Sequence, residues 1–281
     1  MKKILITGAN SYIGTSFENY IKENCPDEYI IETVDMINGS WREKNFSEYD
    51  SVFHVAGIAH QKETKKNACF YYEINRDLAV ETAKKAKHDG VKQFVFLSSM
   101  SVYGMHTGVI TKETLPKPKS HYGKSKLQAE ESIMKLEDES FKVCVLRPPM
   151  VYGKGCKGNF QTVVKIVKKS PIFPNVKNER SMIYIDNLSS FVKLSIDSGL
   201  CGVYFPQNHT YVCTSDMAKY IATSLNKKIH FEYLTALIIC LLRLCVPLVQ
   251  KGFGSLVYRD TEDFNYSYIT IDNEASIVKS V

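Results

Sequence analysis

Tyr122 and Lys126 stand four residues apart in His121-Tyr122-Gly123-Lys124-Ser125-Lys126, so on a helix they share one face. A free phenol titrates near pH 10 (about 10 in model peptides) and is a poor base at neutrality. An ammonium one turn away stabilises the phenolate and draws it toward working range. Upstream, the apolar run Phe94-Val95-Phe96-Leu97 delivers Ser98-Ser99-Met100-Ser101. The Ser99 hydroxyl could hold the oxygen whose proton Tyr122 moves. Tyr-x-x-x-Lys alone also fits an exposed helix start, and its weight comes from what surrounds it.

The first of these surroundings is Ile6-Thr7-Gly8-Ala9-Asn10-Ser11-Tyr12-Ile13-Gly14, which reads as strand, tight turn and helix start. Such a turn points backbone N–H groups and the positive helix end at a pyrophosphate. Gly8 permits the turn and Gly14 lets the helix pack closely on the strand. Ser11 stands where the usual fingerprint has its middle glycine, a small residue that weakens the motif. Asp35 ends the second apolar run, where a carboxylate accepts hydrogen bonds from an adenosine ribose and repels a 2′-phosphate. Met36 follows it, not a phosphate-binding arginine. The expected cofactor is NAD(H), with NADP(H) as the alternative.

The elements that must carry these residues alternate. Apolar runs at Lys3–Thr7, Tyr29–Val34, Ser51–Val55, Gln93–Leu97 and Lys142–Leu146 predict strands, and Ser11–Glu23, Tyr71–His88 and Tyr122–Glu137 predict helices. In Tyr71–His88, Ile74, Leu78, Ala79, Thr82 and Ala86 fall on one face. Continuous apolar strands between helices predict an α/β fold, a doubly wound parallel sheet covered on both sides. Residues 1–150 are expected to form this dinucleotide domain. Residues 151–281 are expected to form mainly a small substrate-binding domain, with some segments returning to the sheet.

A chain of 281 residues, 23% charged and 44% hydrophobic, is an ordinary globular protein. Its net charge of +6 is spread through acidic residues, which argues against nucleic acid as a partner. The eight cysteines contain no C-x-x-C pair and no zinc spacing, so no metal site and a reducing, cytoplasmic setting are expected. Leu234–Val249 is apolar but short, interrupted by Arg243 and Pro247, and a span needs about 20 residues. It is expected as a helix buried against the rest of the fold; the lesser alternative is an amphipathic helix on a membrane surface. A homodimer is left open.

The Thr-Gly…Gly turn, Asp35, Val55-Ala56-Gly57, Asn75, Ser99, Val102-Tyr103-Gly104, Tyr122…Lys126 and Arg147-Pro148…Val151-Tyr152-Gly153 together resemble the extended short-chain dehydrogenases. That family contains nucleotide-sugar epimerases, dehydratases and 4-keto reductases. The resemblance runs in order from Met1 to about Leu200, and Gly254-Ser255-Leu256-Val257 looks like a late motif of its polysaccharide-pathway members. It implies a Rossmann-type fold with Ser99, Tyr122 and Lys126 as catalytic group. It implies that the Gly8–Gly14 turn, Asp35, Met36, Ala56, Gly57 and Ser98 line the cofactor, that Asn75 supports the site, and that Pro148 abuts the nicotinamide. Arg180, in Arg180-Ser181-Met182-Ile183-Tyr184, matches the segment that grips a substrate diphosphate; Asn159 could face the same phosphates. Met150 stands where the epimerases usually have Asn.

Dehydratases of this family need an acidic pair after the hydroxyl residue, and here that place holds Met100-Ser101. The resemblance therefore implies C4 chemistry: reduction of a UDP-linked 4-keto-6-deoxy-N-acetylhexosamine, or the alternative, 4-epimerisation of a UDP-sugar. The short segment after Arg180 and Met150 favour reduction. A non-catalytic NAD(P)-sensing protein on the same fold is the reading from a different class. His54 and His121 are expected as structural neighbours of the site.

Overall fold

The protein is described from a computed structural model covering residues 1–59, 61–261 and 267–281. In chain order the first elements are β1 (Lys2–Thr7), α1 (Tyr12–Asn24), β2 (Tyr29–Val34), β3 (Ser51–His54), α2 (Ala68–Tyr72), α3 (Leu78–His88) and β4 (Gln93–Leu97). There follow β5 (Gly108–Ile110), α4 (His121–Met134), β6 (Lys142–Leu146), β7 (Met150–Tyr152), α5 (Asn159–Lys169), β8 (Ile172–Pro174) and β9 (Met182–Tyr184). The last are α6 (Ile185–Asp197), β10 (Gly202–Tyr204), α7 (Thr214–Ser224), β11 (His230–Glu232), α8 (Tyr233–Cys245), α9 (Pro247–Phe253), β12 (Leu256–Tyr258) and α10 (Asn273–Lys279).

The main sheet has the order β10-β6-β4-β3-β1-β2, with every pair parallel. Ile4, Leu5 and Ile6, like Phe94, Val95 and Phe96, are fully buried, as strands covered on both faces require. Strand order reverses at β1, with β2 on one side and β3 on the other. Such a switch point opens a crevice beyond the carboxyl ends of the strands. This is the doubly wound α/β fold that the alternation predicts.

The chain divides into two compact units. One comprises residues 1–104, 115–148 and 189–206; the other comprises 105–114, 149–188 and 207–281. The second unit is built from two-stranded parallel ladders, β11-β8, β12-β5 and β7-β9. Phe160, Phe173, Tyr152 and Tyr258 are buried in it, and Phe173 packs against the rings of Phe231 and Phe253 at 6.3 and 6.1 Å.

Two expectations need correction. The helix predicted over Tyr71–His88 is interrupted by a π-turn at Glu73–Asp77. The extra residue changes the phase, so Tyr71 and Asn75 turn inward ahead of Ala79, Thr82 and Ala86, and Ile74 does not. The stretch Leu234–Val249 is not one buried helix. Pro247 cannot continue α8 and instead starts α9. Ala236 is buried and Thr235, Ile239 and Cys240 half-buried, whereas Tyr233, Leu234, Leu237 and Leu241 are each more than 60% exposed. The helix packs against β8 and α9. None of the helices among the described residues is long and apolar enough to cross a membrane.

Candidate active site

The loops after β1 and β3 meet at the switch point. Gly8 has φ 116°, and a Cβ there would lie 2.8 Å from the Ala56 backbone nitrogen, so no other residue fits. Asn10, at φ 61°, takes the left-handed conformation that asparagine tolerates. Ser11, in place of a glycine, caps α1: its Oγ accepts from the Gly14 N–H at 3.2 Å. A Cβ on Gly14 would fall 2.6 Å from that Oγ and 3.0 Å from Ile6, which is the close packing expected of it. Tyr12 and Ile13 open α1, whose first turn carries no acid. The cradle of Gly8–Gly14, Ala56 and Gly57, open at a positive helix end, fits a dinucleotide pyrophosphate. Asp35 follows β2 directly and is exposed, its Oδ1 accepting from Ile37 N at 2.9 Å, while Met36 is buried beside it.

Ser99, Tyr122 and Lys126 come from the end of β4 and the first turns of α4. The Ser120 hydroxyl caps α4 at Gly123 N, 3.0 Å away. The Glu63 carboxylate also accepts from His121 N and Tyr122 N, at 3.0 and 2.9 Å. Glu63 carries no signal in the sequence, because the helix whose start it meets begins 58 residues later. Lys126 is 4% exposed, donates to the Leu97 carbonyl at 2.8 Å and lies 4.6 Å from the Phe96 ring centre. Burial pulls its ammonium down to about 8, against a smaller upward pull from Glu130.

Tyr122 differs from expectation. Burial raises its phenol, and the downward pull comes from the Ser99 hydroxyl instead of Lys126. The ammonium is drawn aside by the Leu97 carbonyl. Asn75 is buried and fixes the loop after β3: its Oδ1 accepts from Ile58 N at 2.8 Å and its Nδ2 donates to Ile58 O at 3.1 Å and to Ser125 Oγ at 3.3 Å. A Cβ on Gly57 would strike Asn75 Oδ1 at 2.8 Å and approach Lys126 Nζ at 3.5 Å, so Gly57, Asn75 and Lys126 form one tight group. The π-turn is what brings Asn75 there.

Ser98 is placed differently from a cofactor contact made by its side chain. It is buried, and its hydroxyl donates to Glu130. Arg147 also grips Glu130, Nη2 to Oε2 at 2.5 Å, and donates to the Tyr103 hydroxyl at 2.8 Å. Glu130 lies one turn beyond Lys126 and carries no sequence signal of its own. The Pro148 carbonyl accepts from Met100 N at 2.9 Å, which ties the β6 exit to the segment after Ser99. His54 is buried between the Phe94 and Phe96 rings, bonded to Thr7 at 2.8 Å, and burial pulls it down to about 3. It is neutral at physiological pH. His121 hydrogen-bonds the Tyr72 hydroxyl at 3.1 Å; both histidines sit among the fold's own groups.

The second unit carries Met150, Asn159 and Arg180. Met150 pairs with Met182 in the β7-β9 ladder, two residues beyond Arg180. Asn159 opens α5, whose first turn has no acid. Arg180 donates to the Gly254 carbonyl at 2.7 Å, so the Gly254-Ser255-Leu256-Val257 motif orients it. No carboxylate among the described residues pairs with Arg180, and burial pulls its guanidinium below the ordinary value. A partly buried cation with no carboxylate beside it among the described residues suits an anionic ligand.

These features define a nicotinamide-dependent enzyme on a Rossmann-type sheet. The model of the NAD dependent epimerase/dehydratase family matches residues 4–201, and the chain belongs to that family. It is 31% identical over 251 residues to a UDP-glucose 4-epimerase of Vibrio cholerae, covering 80% of this chain and 76% of that protein. Among solved structures, a UDP-glucuronic acid 4-epimerase from Bacillus cereus with NAD superposes with TM-score 0.75 and 18% identity, over 99% of this chain and 97% of that one. A dTDP-4-dehydrorhamnose reductase from Clostridium acetobutylicum superposes with TM-score 0.68 and 20% identity, over 82% and 83%. One fold thus serves both an epimerase and a keto reductase, and the fold alone does not choose between them.

Proposed function

We propose that this enzyme moves a hydride at C4 of a sugar carried on a nucleoside diphosphate, and that it reduces a UDP-linked 4-keto-6-deoxy-N-acetylhexosamine for surface polysaccharide. The observation that carries the reading is the group Ser99, Tyr122 and Lys126 with Met100-Ser101 in place of an acidic pair, which suits proton transfer at one oxygen and not removal of water. Gly8, Asn10, Ser11, Tyr12, Ile13, Gly14, Asp35, Met36, Ala56, Gly57 and Pro148 would hold the dinucleotide, which supplies or accepts the hydride when bound. Ser99 holds the C4 oxygen and Tyr122 gives it a proton. Lys126 keeps one N–H on the Leu97 carbonyl and has two more, which suit a ribose hydroxyl and the phenol oxygen. Asn75 holds the loop of Gly57 and so limits where Lys126 can swing. Arg180 grips the diphosphate, with Asn159 and Met150 on the same side of the substrate.

Mixing the protein with UDP-4-keto-6-deoxy-N-acetylglucosamine and NADH tests this, with absorbance and product followed together. Stoichiometric loss of NADH with a 6-deoxy product is expected. Tyr122→Phe should lower turnover by about 10²–10⁴-fold and leave the calorimetric affinity for NADH within about twofold.

A second reading, 4-epimerisation, is supported by the Vibrio cholerae relative. The Bacillus cereus neighbour also weakens the argument from length, since an epimerase of that fold needs little more chain than this. Met150 is what still favours reduction. Interconversion of UDP-N-acetylglucosamine and UDP-N-acetylgalactosamine without net NADH loss would establish the second reading.

A further inference from the structure

Helix α8 presents six large side chains outward. Tyr233, Leu234, Leu237, Ile238, Leu241 and Leu242 are 76, 72, 61, 51, 63 and 44% exposed. At 100° per residue they cover one continuous face, and Ala236 is buried on the other. This is the reverse of an ordinary surface helix, which turns its large apolar side chains inward. Contiguous exposure of this kind marks an interaction surface. With 13 residues, α8 is too short to span a bilayer.

Charge identifies the occupant. Residues 149–188 and 207–258, which hold α5, β8, β11, α8 and α9, contain 12 lysines and arginines against 4 acids. The stretch Tyr233–Phe253 contains no acid. Lys168 and Lys169 at the end of α5, Lys228 before β11 and Lys251 in α9 are all exposed. Ile172 of β8, the strand under α8, is 40% exposed as well. An apolar helix face carried by a lysine-rich stretch of chain is the composition of a helix that lies in the headgroup region of an anionic bilayer. A second copy of this chain would bring the same excess of positive charge toward it, which opposes a symmetric dimer through this face.

We propose that α8 docks the enzyme on an anionic membrane surface, with Leu234, Leu237, Ile238 and Leu241 entering the acyl boundary and the lysines meeting lipid phosphates. The proposal is independent of which C4 reaction the enzyme performs.

Flotation of the full-length protein with vesicles of phosphatidylglycerol and phosphatidylethanolamine tests it, beside vesicles of phosphatidylcholine alone. Binding to the anionic vesicles should exceed that to the neutral ones at least about tenfold and weaken in 0.5 M salt (about a threefold shorter Debye length than at 0.05 M). Leu237→Asn/Leu241→Asn should lower it at least about tenfold with unchanged circular dichroism and NADH affinity, because both side chains are exposed. A wild-type protein that stays with neither vesicle overturns the proposal. So does equal binding by the double variant, equal binding to both lipid compositions, or a dimer in sedimentation velocity that the double variant dissolves while vesicles capture nothing.

Discussion

Two arginines in this molecule meet opposite fates. Arg147 is nearly buried, yet every direction around it is answered: Glu130 takes three of its hydrogen bonds and Tyr103 a fourth. Burial alone would lower its guanidinium, and the Glu130 carboxylate more than reverses this. Arg180 is also desolvated, but its side chain donates to the neutral Gly254 carbonyl, and no carboxylate among the described residues opposes the downward pull of burial on its guanidinium. A charge answered within the fold holds structure. A charge desolvated without a carboxylate beside it is suited to a ligand of opposite sign, the role proposed for Arg180.

The sharpest way to break this contrast is to delete each arginine. Arg147→Met should cost about 3–5 kcal/mol of stability, because Glu130 is left charged and buried, and urea unfolding measures it. Adding Glu130→Gln to that variant should restore part of the loss. If Arg147→Met unfolds at the wild-type midpoint, Arg147 is not held as described.

Lys126 belongs with Arg147 by burial but not by compensation, and pH separates them. Its folded value is about 8 against 10.5 for the free side chain. Between these pH values the unfolded chain keeps the proton that the folded chain has lost, so stability rises with pH across that window. The raised Tyr122 phenol acts in the opposite sense above about pH 10. Lys126→Met should flatten the rise between about pH 8 and 10, read from denaturant midpoints at each pH; an unchanged slope would show that another group titrates there.

Arg180→Met should behave in the opposite way to Arg147→Met. Stability should hold or improve slightly, while KM for the nucleotide sugar rises about 10–100-fold, the loss of charge-assisted bonds worth about 1.5–3 kcal/mol. Equal loss of stability in both variants would erase the distinction. The smallest effect is expected at Asp35, a second charge left open to a ligand. NADH should bind more tightly than NADPH in calorimetry, and Asp35→Ala should narrow that gap by about tenfold, on the order of one charged hydrogen bond. Tighter NADPH binding by the unaltered protein would show that Asp35 turns away from the ribose.

The strands Tyr29–Val34, Gln93–Leu97 and Lys142–Leu146 were legible to the residue, because continuous apolar runs between helices have one stable home, the inside of a parallel sheet. The Gly8–Gly14 turn was legible for a similar reason: it is local, and its geometry depends on residues that follow one another. Glu63, Glu130 and the Gly254 carbonyl were not, since each acts on a residue distant in sequence. Asn75 was recognised by resemblance, while the π-turn that aims it leaves no period to detect. The outward face of α8 was missed because hydropathy measures how apolar a segment is and not which side finds a neighbour. The hydrogen bond from Lys126 to Leu97 O, which takes one of the three ammonium protons, is announced by no pattern in the chain.

The edge strand β10 has a consequence for how the chain is made. It hydrogen-bonds along Cys144, Val145 and Leu146, and Tyr204 O receives the Arg147 N–H. Those partners leave the ribosome nearly sixty residues before it, with 149–188 emerging between. At about 5–20 residues per second, β6 waits several seconds with one flank unpaired, in the state most open to pairing with a strand of another nascent chain. The same flank would be bare in any fragment that stops near residue 150. Synthesis of the first unit is therefore complete only when Tyr204 has emerged, and a shorter product would be expected to aggregate before it could bind a dinucleotide.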